Sequence, residues 1–145
     1  MENCNNVSIP VISNLKLTDQ GDEKKVDATL YIQIVGSLRY IYNSRPDISY
    51  GVGLVSRFMN EPRLSDMSTA KHILRYLKGT TYFGLLFPKK TNNVEGVLEV
   101  WCDSDWCGDK VDRKSTFDYL FKYMGAPISW CSKKQNVVAL STCEA

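Results

Sequence analysis

The residues best suited to chemistry sit in one run, Trp101-Cys-Asp-Ser-Asp-Trp-Cys-Gly-Asp109. Leu98, Val100 and Cys102 alternate with Glu99, Trp101 and Asp103. That period of two marks a half-buried strand. Asp103 and Asp105 share a parity, so a continuing strand projects both carboxylates to one face. Two acids on one face at a strand end suit a divalent ion, because Mg²⁺ takes hard carboxylate oxygens. They also suit a solvated turn, the commoner case, because Asp and Gly gather where strands stop. The pair by itself leaves both readings open.

The cysteines point away from zinc. Cys4, Cys102, Cys107, Cys131 and Cys143 are odd in number, which fits free thiols in a reducing compartment. A structural zinc site needs two closely spaced ligand pairs and usually histidine. The one histidine, His72, lies in a different region. Cys102 reads as a small apolar residue on the inward face of its strand. Trp106 and Trp130 read as core anchors.

The elements that must position these groups follow from periodicity. Residues 1–26 read as a connector, with a short extended piece at Val7–Pro10 and a polar, mobile loop from Thr18 to Lys25. A first helix is expected over Ala28–Asn43, with Asp27 as N-cap and an apolar stripe of Tyr31, Ile34, Val35, Leu38, Ile41 and Tyr42. Ser44-Arg-Pro-Asp47 breaks it. A second helix runs from Pro46 to Met59 and a third from a Ser65 cap to Gly79. Gly36, Gly51 and Gly53 weaken their helices, which points to tight packing at those positions. From Thr80 the period changes to two. Strands are expected over Tyr82–Phe87, Leu98–Asp103, Phe117–Met124 and Pro127–Cys131, with a turn over Pro88–Asn93. Short links favour an antiparallel meander. Val137–Ala145 reads as the first turns of a helix capped by Ser141 or Thr142. The fold class is therefore α+β, helices first and sheet second.

Charge is balanced. The net charge is +2, with 10 basic and 8 acidic residues in 1–80 and 8 of each in 81–145. Any nucleic-acid footprint must come from local placement. The outer side of the third helix carries Lys71, Arg75 and Lys78 at i, i+4 and i+7. That stripe is either a solvated face or a surface that tracks phosphates by releasing counterions. Arg113, Lys114, Lys133 and Lys134 are loop and strand-end cations of the same kind. No apolar run reaches membrane-spanning length, and no secretory signal is visible.

The order of motifs is specific. Asp103-Ser-Asp-Trp, then Asp112-Arg-Lys-Ser-Thr, then Ser129-Trp, Ser132-Lys-Lys-Gln and Ala139-Leu-Ser-Thr resembles the ribonuclease H domain of copia-type LTR retrotransposon polyproteins. Upstream, Val35-Gly-Ser-Leu-Arg-Tyr-Ile-Tyr-Asn-Ser-Arg-Pro-Asp-Ile-Ser and Ala70-Lys-His-Ile-Leu-Arg-Tyr-Leu-Lys-Gly-Thr resemble the end of the reverse transcriptase. The resemblance covers nearly the whole chain. It implies a thumb- or connection-like helical segment over 27–80 and a partial RNase H-like antiparallel sheet over 81–145.

The same resemblance implies hydrolysis of RNA in an RNA–DNA hybrid by two Mg²⁺ or Mn²⁺ ions clamping the scissile phosphate. Asp103 takes the place of the first catalytic metal ligand. The family's second ligand, the second Glu of a Glu-Ala-Glu run, falls one position past Ala145. Glu144 is the nearest carboxylate present. The expectation is that these 145 residues bind metal weakly and do not cut by themselves. The family usually has Ser-Gly where Phe117-Asp118 stand and a Gly-rich turn where Tyr123–Ala126 stand. Two other readings are a non-catalytic nucleic-acid-binding module, using the third helix and the Ser132–Gln135 loop, and a relic that does not fold. The implied setting is intracellular, in a cytoplasmic particle or the nucleus. The oligomeric state is left open.

Overall fold

The structure is a computed structural model that describes residues 3–13, 15, 17, 22–89, 96–109 and 111–145. The chain forms two compact units, Met1–Phe83 and Gly84–Ala145. The element order is α then β, as the change of period requires.

In the first unit, α1 spans Ala28–Tyr42. Asp27 caps it as expected, its carboxylate accepting from the N–H groups of Thr29 at 2.9 Å and Leu30 at 3.4 Å. The second helical stretch is less regular than one helix over Pro46–Met59. It opens with a 3₁₀ turn at Pro46–Ile48, continues as α2 over Ser49–Val55 and closes with a 3₁₀ turn at Ser56–Phe58. Pro46 suits the tight first turn, and two glycines within seven residues weaken the α-helical middle. Gly51 is a close-packing point. A Cβ there would lie 2.7 Å from Val11 Cγ2 and 3.1 Å from Ile73 Cδ1. Gly36 is not one, since nothing approaches within 4 Å.

Helix α3 spans Leu64–Gly79 and begins at Arg63, not at a Ser65 cap. Two acidic side chains explain the shift. Asp66 accepts the Arg63 N–H at 2.8 Å, and Glu23 accepts the Ser65 N–H at 3.0 Å. Both place negative charge at the positive end of the helix. The Ser65 bond holds the Glu23 carboxyl below its usual range. Thr18–Gly21 lies outside the described residues. Lys24–Val26, expected to be loop, is tied down: Val26 N–H donates to Pro62 O and Leu64 N–H to Lys24 O.

The core of this unit is the predicted stripe. Tyr31, Val35 and Leu38 of α1 meet Val52, Val55, Met67, Ala70 and Ile73, all buried. The Tyr31 hydroxyl donates to Val55 O at 2.7 Å, and burial pushes its phenol up. Ser44-Arg-Pro-Asp47 does more than break a helix. Arg45 is only 7 % exposed. Its guanidinium holds Asp47 with a two-pronged pair at 2.9 and 2.7 Å and Thr80 through its carbonyl at 3.0 Å and hydroxyl at 2.8 Å. It also stacks 5.8 Å from the Tyr76 ring and 5.5 Å from the Phe83 ring. Tyr76 completes the set by donating to Asp47 at 2.8 Å.

In the second unit, β1 (Leu98–Ser104), β2 (Thr116–Tyr123) and β3 (Ala126–Lys134) form an antiparallel meander in the order β1-β2-β3. β3 is longer than Pro127–Cys131. The β2–β3 link is a two-residue turn with Met124 at φ 51° and Gly125 at φ 80°, the backbone that tight hairpins use. The register slips between Phe121 and Lys122. Pro127 sits on the outer strand, where its missing N–H is tolerated.

Several expectations fail in this unit. Tyr82–Phe87 is no strand, because it has no ladder partner among the described residues; Tyr82 is 81 % and Leu86 78 % exposed. The turn over Pro88–Asn93 lies largely outside the described residues. Val137–Ala145 forms a single turn, not a helix start, with Glu144 N–H bonded to Ser141 O at 3.2 Å. One turn fixes several dihedrals for one hydrogen bond and does not propagate. Cys102 is exposed, not inward, and Trp106 is 52 % exposed while Trp130 is half-buried, so neither tryptophan is a core anchor. For Cys102 and Trp130 the reason is shared, while Trp106 lies in the loop after β1. By register Val100, Cys102, Tyr119 and Phe121 share one face and Trp101, Leu120 and Trp130 the other, and both faces carry exposed or half-buried apolar side chains. Among the described residues β1 is paired along one edge only.

Substitutions at Arg45 test the role of its fork. Arg45→Met leaves the partly exposed Asp47 carboxylate with Tyr76 as its remaining side-chain partner and should destabilise the helical unit by about 2–4 kcal/mol, between exposed and fully buried pairs. Arg45→Lys keeps the charge but loses the fork and should cost about 1.5–3 kcal/mol. Urea unfolding followed by circular dichroism reads both, and equal small losses would refute the role of the fork. In the other unit, Met124→Asn suits the left-handed backbone and should stabilise the hairpin by about 0.4–1 kcal/mol, read as a raised thermal midpoint.

Candidate functional site

Strand β1 ends at Ser104, and this separates the two acids that a continuing strand would align. Asp103 is exposed near the strand end, with one carboxylate oxygen accepting the Ser104 N–H at 2.9 Å. Its cross-strand partner is Asp118, whose own partner is Ser132. Paired residues lie on one face, so Asp103 and Asp118 are two carboxylates side by side.

Asp105 has turned to a different task. Its N–H donates to Thr116 O at 3.0 Å, and its carboxylate accepts the Thr116 N–H in return. Gly108 leaves room beside it: a Cβ there would meet the Asp105 carboxylate. Asp105 therefore closes the loop between β1 and β2. Glu144 is engaged as well, accepting the Leu140 N–H at 2.9 Å. The nearby Trp106 indole N–H donates to Ala139 O at 3.2 Å.

Among the described residues no group of three or more His, Cys, Asp or Glu converges to hold an ion. Mg²⁺ demands near-octahedral oxygen ligands. Asp103 and Asp118 lie side by side, while Asp105 and Glu144 each accept a backbone N–H elsewhere. The five cysteines carry free thiols. No helix among the described residues is long and apolar enough to cross a membrane.

The seven basic candidates divide by what they touch. Lys134 is clamped, its ammonium 2.6 Å from Asp109 and 2.9 Å from Asp112. Lys114 pairs with Asp112 at 3.6 Å. Asp109 also accepts the Val111 N–H at 2.8 Å, and Asp112 accepts the Lys114 N–H at 3.2 Å. This bracing sets Arg113 at φ 59°, exposed. Lys133 is exposed on the face opposite Lys134. In the helical unit, Lys71 is exposed, while Arg75 donates to Asn5 O at 2.8 Å and Lys78 to Cys4 O at 3.0 Å. The His72 ring lies 3.0 Å from Ile9 O.

Sequence reading missed the Asp109–Asp112–Lys134 clamp, because its partners are 25 and 22 positions apart. It also missed that the N-terminal connector lies along α3. The signal for the first was weak but present: three acids spaced through a short loop, with a lysine at the end of a later strand.

The clamp sets a pH window. Burial disfavours the charged Asp109 carboxylate, but the Lys134 ammonium outweighs it and holds the group below its ordinary 3.8. Asp112 is lowered in the same way. Burial also disfavours the Lys134 ammonium, yet the two carboxylates raise it above 10.5. Depressed acids stabilise above the ordinary value and lose this as pH falls through the folded one; the raised lysine loses its share as pH climbs past 10.5. Loop protection in hydrogen exchange should therefore hold at neutral pH and fall below about pH 4. Lys134→Met should cost about 1–2 kcal/mol, between exposed and buried pairs, and should flatten that acid dependence. An unchanged profile would remove the clamp.

The chain is 44 % identical over 139 residues to a retrovirus-related Pol polyprotein from transposon RE1 of Arabidopsis thaliana, covering 96 % of this chain and 9 % of that protein. It is 41 % identical over 155 aligned positions to the Pol polyprotein from transposon TNT 1-94 of Nicotiana tabacum, covering 100 % of this chain and 11 % of that one. It is also 41 % identical over 115 residues to secreted RxLR effector protein 161 of Plasmopara viticola, covering 79 % of each. The chain spans about a tenth of the length of the Pol relatives it matches. No family model and no solved structure matches it. The sequence relationship runs through nearly the whole chain and places it: the chain belongs to the family of retrovirus-related Pol polyproteins of transposons.

Proposed function

We propose that the chain is the junction of reverse transcriptase and ribonuclease H in a copia-type Pol polyprotein, and that its task is to hold an RNA–DNA hybrid. The observation that carries this is the relationship to Pol polyproteins over nearly the whole chain, from the connector through β3. Each unit offers its own cations to phosphates: Lys71, Arg75 and Lys78 on α3 in one, Arg113 and Lys133 in the other. Lys114 and Lys134 serve the loop that presents Arg113. Such binding is insensitive to sequence and falls steeply with salt.

In a protein of the relatives' length, Asp103 would contribute one carboxylate to a Mg²⁺ or Mn²⁺ site for hydrolysis of the RNA strand. It is exposed near the end of β1, where a phosphate can approach. The 145 residues alone hold a hybrid without cutting it. Supporting this, Asp105 and Glu144 spend their carboxylates on backbone N–H groups.

Hydrolysis of a labelled RNA–DNA hybrid with Mg²⁺ or Mn²⁺ tests the reading. The expected result is cleavage only by a chain extended to the full domain, abolished by Asp103→Asn, with hybrid binding by both lengths. Cleavage by the 145-residue chain that survives Asp103→Asn would overturn the role of Asp103. Absence of salt-dependent hybrid binding would overturn the whole reading.

A further inference from the structure

The basic face of α3 is not bare. Residues Cys4 to Val11 run along it with no place in a helix or sheet. The carbonyl oxygens of Cys4 and Asn5 take the cationic ends of Lys78 and Arg75, and the Ile9 carbonyl meets the His72 ring. Two glycines make the seat. Besides Gly51 under Val11, a Cβ at Gly79 would lie 3.0 Å from Asn6 Cβ. The strap thus has shaped seats at Asn6 and Val11, with the two cation-to-carbonyl bonds at Cys4 and Asn5 just ahead of the first.

We propose that this strap is a removable cover that occupies the phosphate-binding face of α3 until a nucleic-acid backbone displaces it. This rests on the hybrid-binding reading above. The strap's carbonyls stand where phosphate oxygens would stand, and they satisfy the same donors. They carry partial charge, whereas a phosphate carries a full one, so the donors favour phosphate once it is near. The strap competes because it is tethered, at a high effective concentration for its own bed. Its hold is light. Asn5 and Asn6 are exposed, Ile9 is 45 % exposed, and its bonds to His72, Arg75 and Lys78 lie at the surface. Segments held this way open locally without unfolding the rest.

The test loosens and locks the strap in the full chain, with fluorescence anisotropy of a labelled RNA–DNA hybrid across a salt series. Val11→Asp disturbs the seat over Gly51 without touching any α3 cation, and the acid it adds repels phosphate. An increase in affinity from it therefore has the opposite sign to simple electrostatics. Asn6→Cys with Gly79→Cys places two thiols within bridging reach after a small adjustment, and mass spectrometry identifies the crosslink. We expect Val11→Asp to tighten hybrid binding severalfold and to steepen its salt dependence. Adding Arg75→Ala and Lys78→Ala should cancel the gain and flatten the log–log salt slope by about 2, near 0.9 for each phosphate no longer neutralised. The oxidised double-cysteine chain should bind weakly and recover on reduction, which controls for folding within one protein. If locking and loosening leave affinity unchanged while Arg75→Ala with Lys78→Ala still weakens it, the face binds with the strap in place; the cover is refuted and the hybrid reading stands. If no form binds the hybrid, both fall.

Discussion

One buried guanidinium sets the frame of the helical unit. A charge taken out of water is tolerated only when it is paired and most of its donor fork is matched. Arg45 achieves this by gathering Asp47, the carbonyl and hydroxyl at Thr80, and the faces of Tyr76 and Phe83. Those partners come from the turn after α1, the end of α3 and the chain just beyond it. Separate chain segments are thus fixed by one side chain. The consequence reaches the surface. With Tyr76 turned inward to Asp47, the period of 3.6 turns Lys71, Arg75 and Lys78 to the other side of α3. The orientation of the basic face follows from where the buried arginine needs its partners.

The sheet unit is held on different terms. Its buried residues are few and small, such as Ser115, Thr116, Ala126 and Ala139. Ladders and staples do the work of a core. Asp105 staples Thr116, Ser115 accepts the Cys107 N–H, and the Ser115 carbonyl accepts the Gln135 N–H. Asp109 and Asp112 bind loop N–H groups and then Lys134. Acids that look like metal ligands in the sequence are mostly occupied in shaping backbone. Asp103 differs in kind, since its carboxylate takes only the neighbouring Ser104 N–H among the bonds described.

What could be read in advance follows from the range of the forces. The α1 stripe and the Asp27 cap are local patterns and stand where periodicity put them; three of the four expected strands form, with β3 running on to Lys134. The Ser65 cap failed because Glu23, 42 positions away, and Asp66 together reset the helix start. Tyr82–Phe87 has the composition of a strand, but a strand needs a neighbour, and pairing is not written in one segment. The Asp103–Asp105 pair was legible as chemistry and not as geometry, because Asp105 answers to Thr116 and Gly108. Arg45 was visible only as part of a helix break. Burial of a charge depends on partners spread over 35 positions.

The uncovered sheet has a consequence for handling and for life in a cell. Trp101 and Val100 are more than half exposed on opposite faces, and β1 offers an unpaired edge among the described residues. Such an edge is a template for another strand. Self-association is second order in protein, so dilute chains stay apart while concentrated ones gather. Abundance then becomes a structural variable.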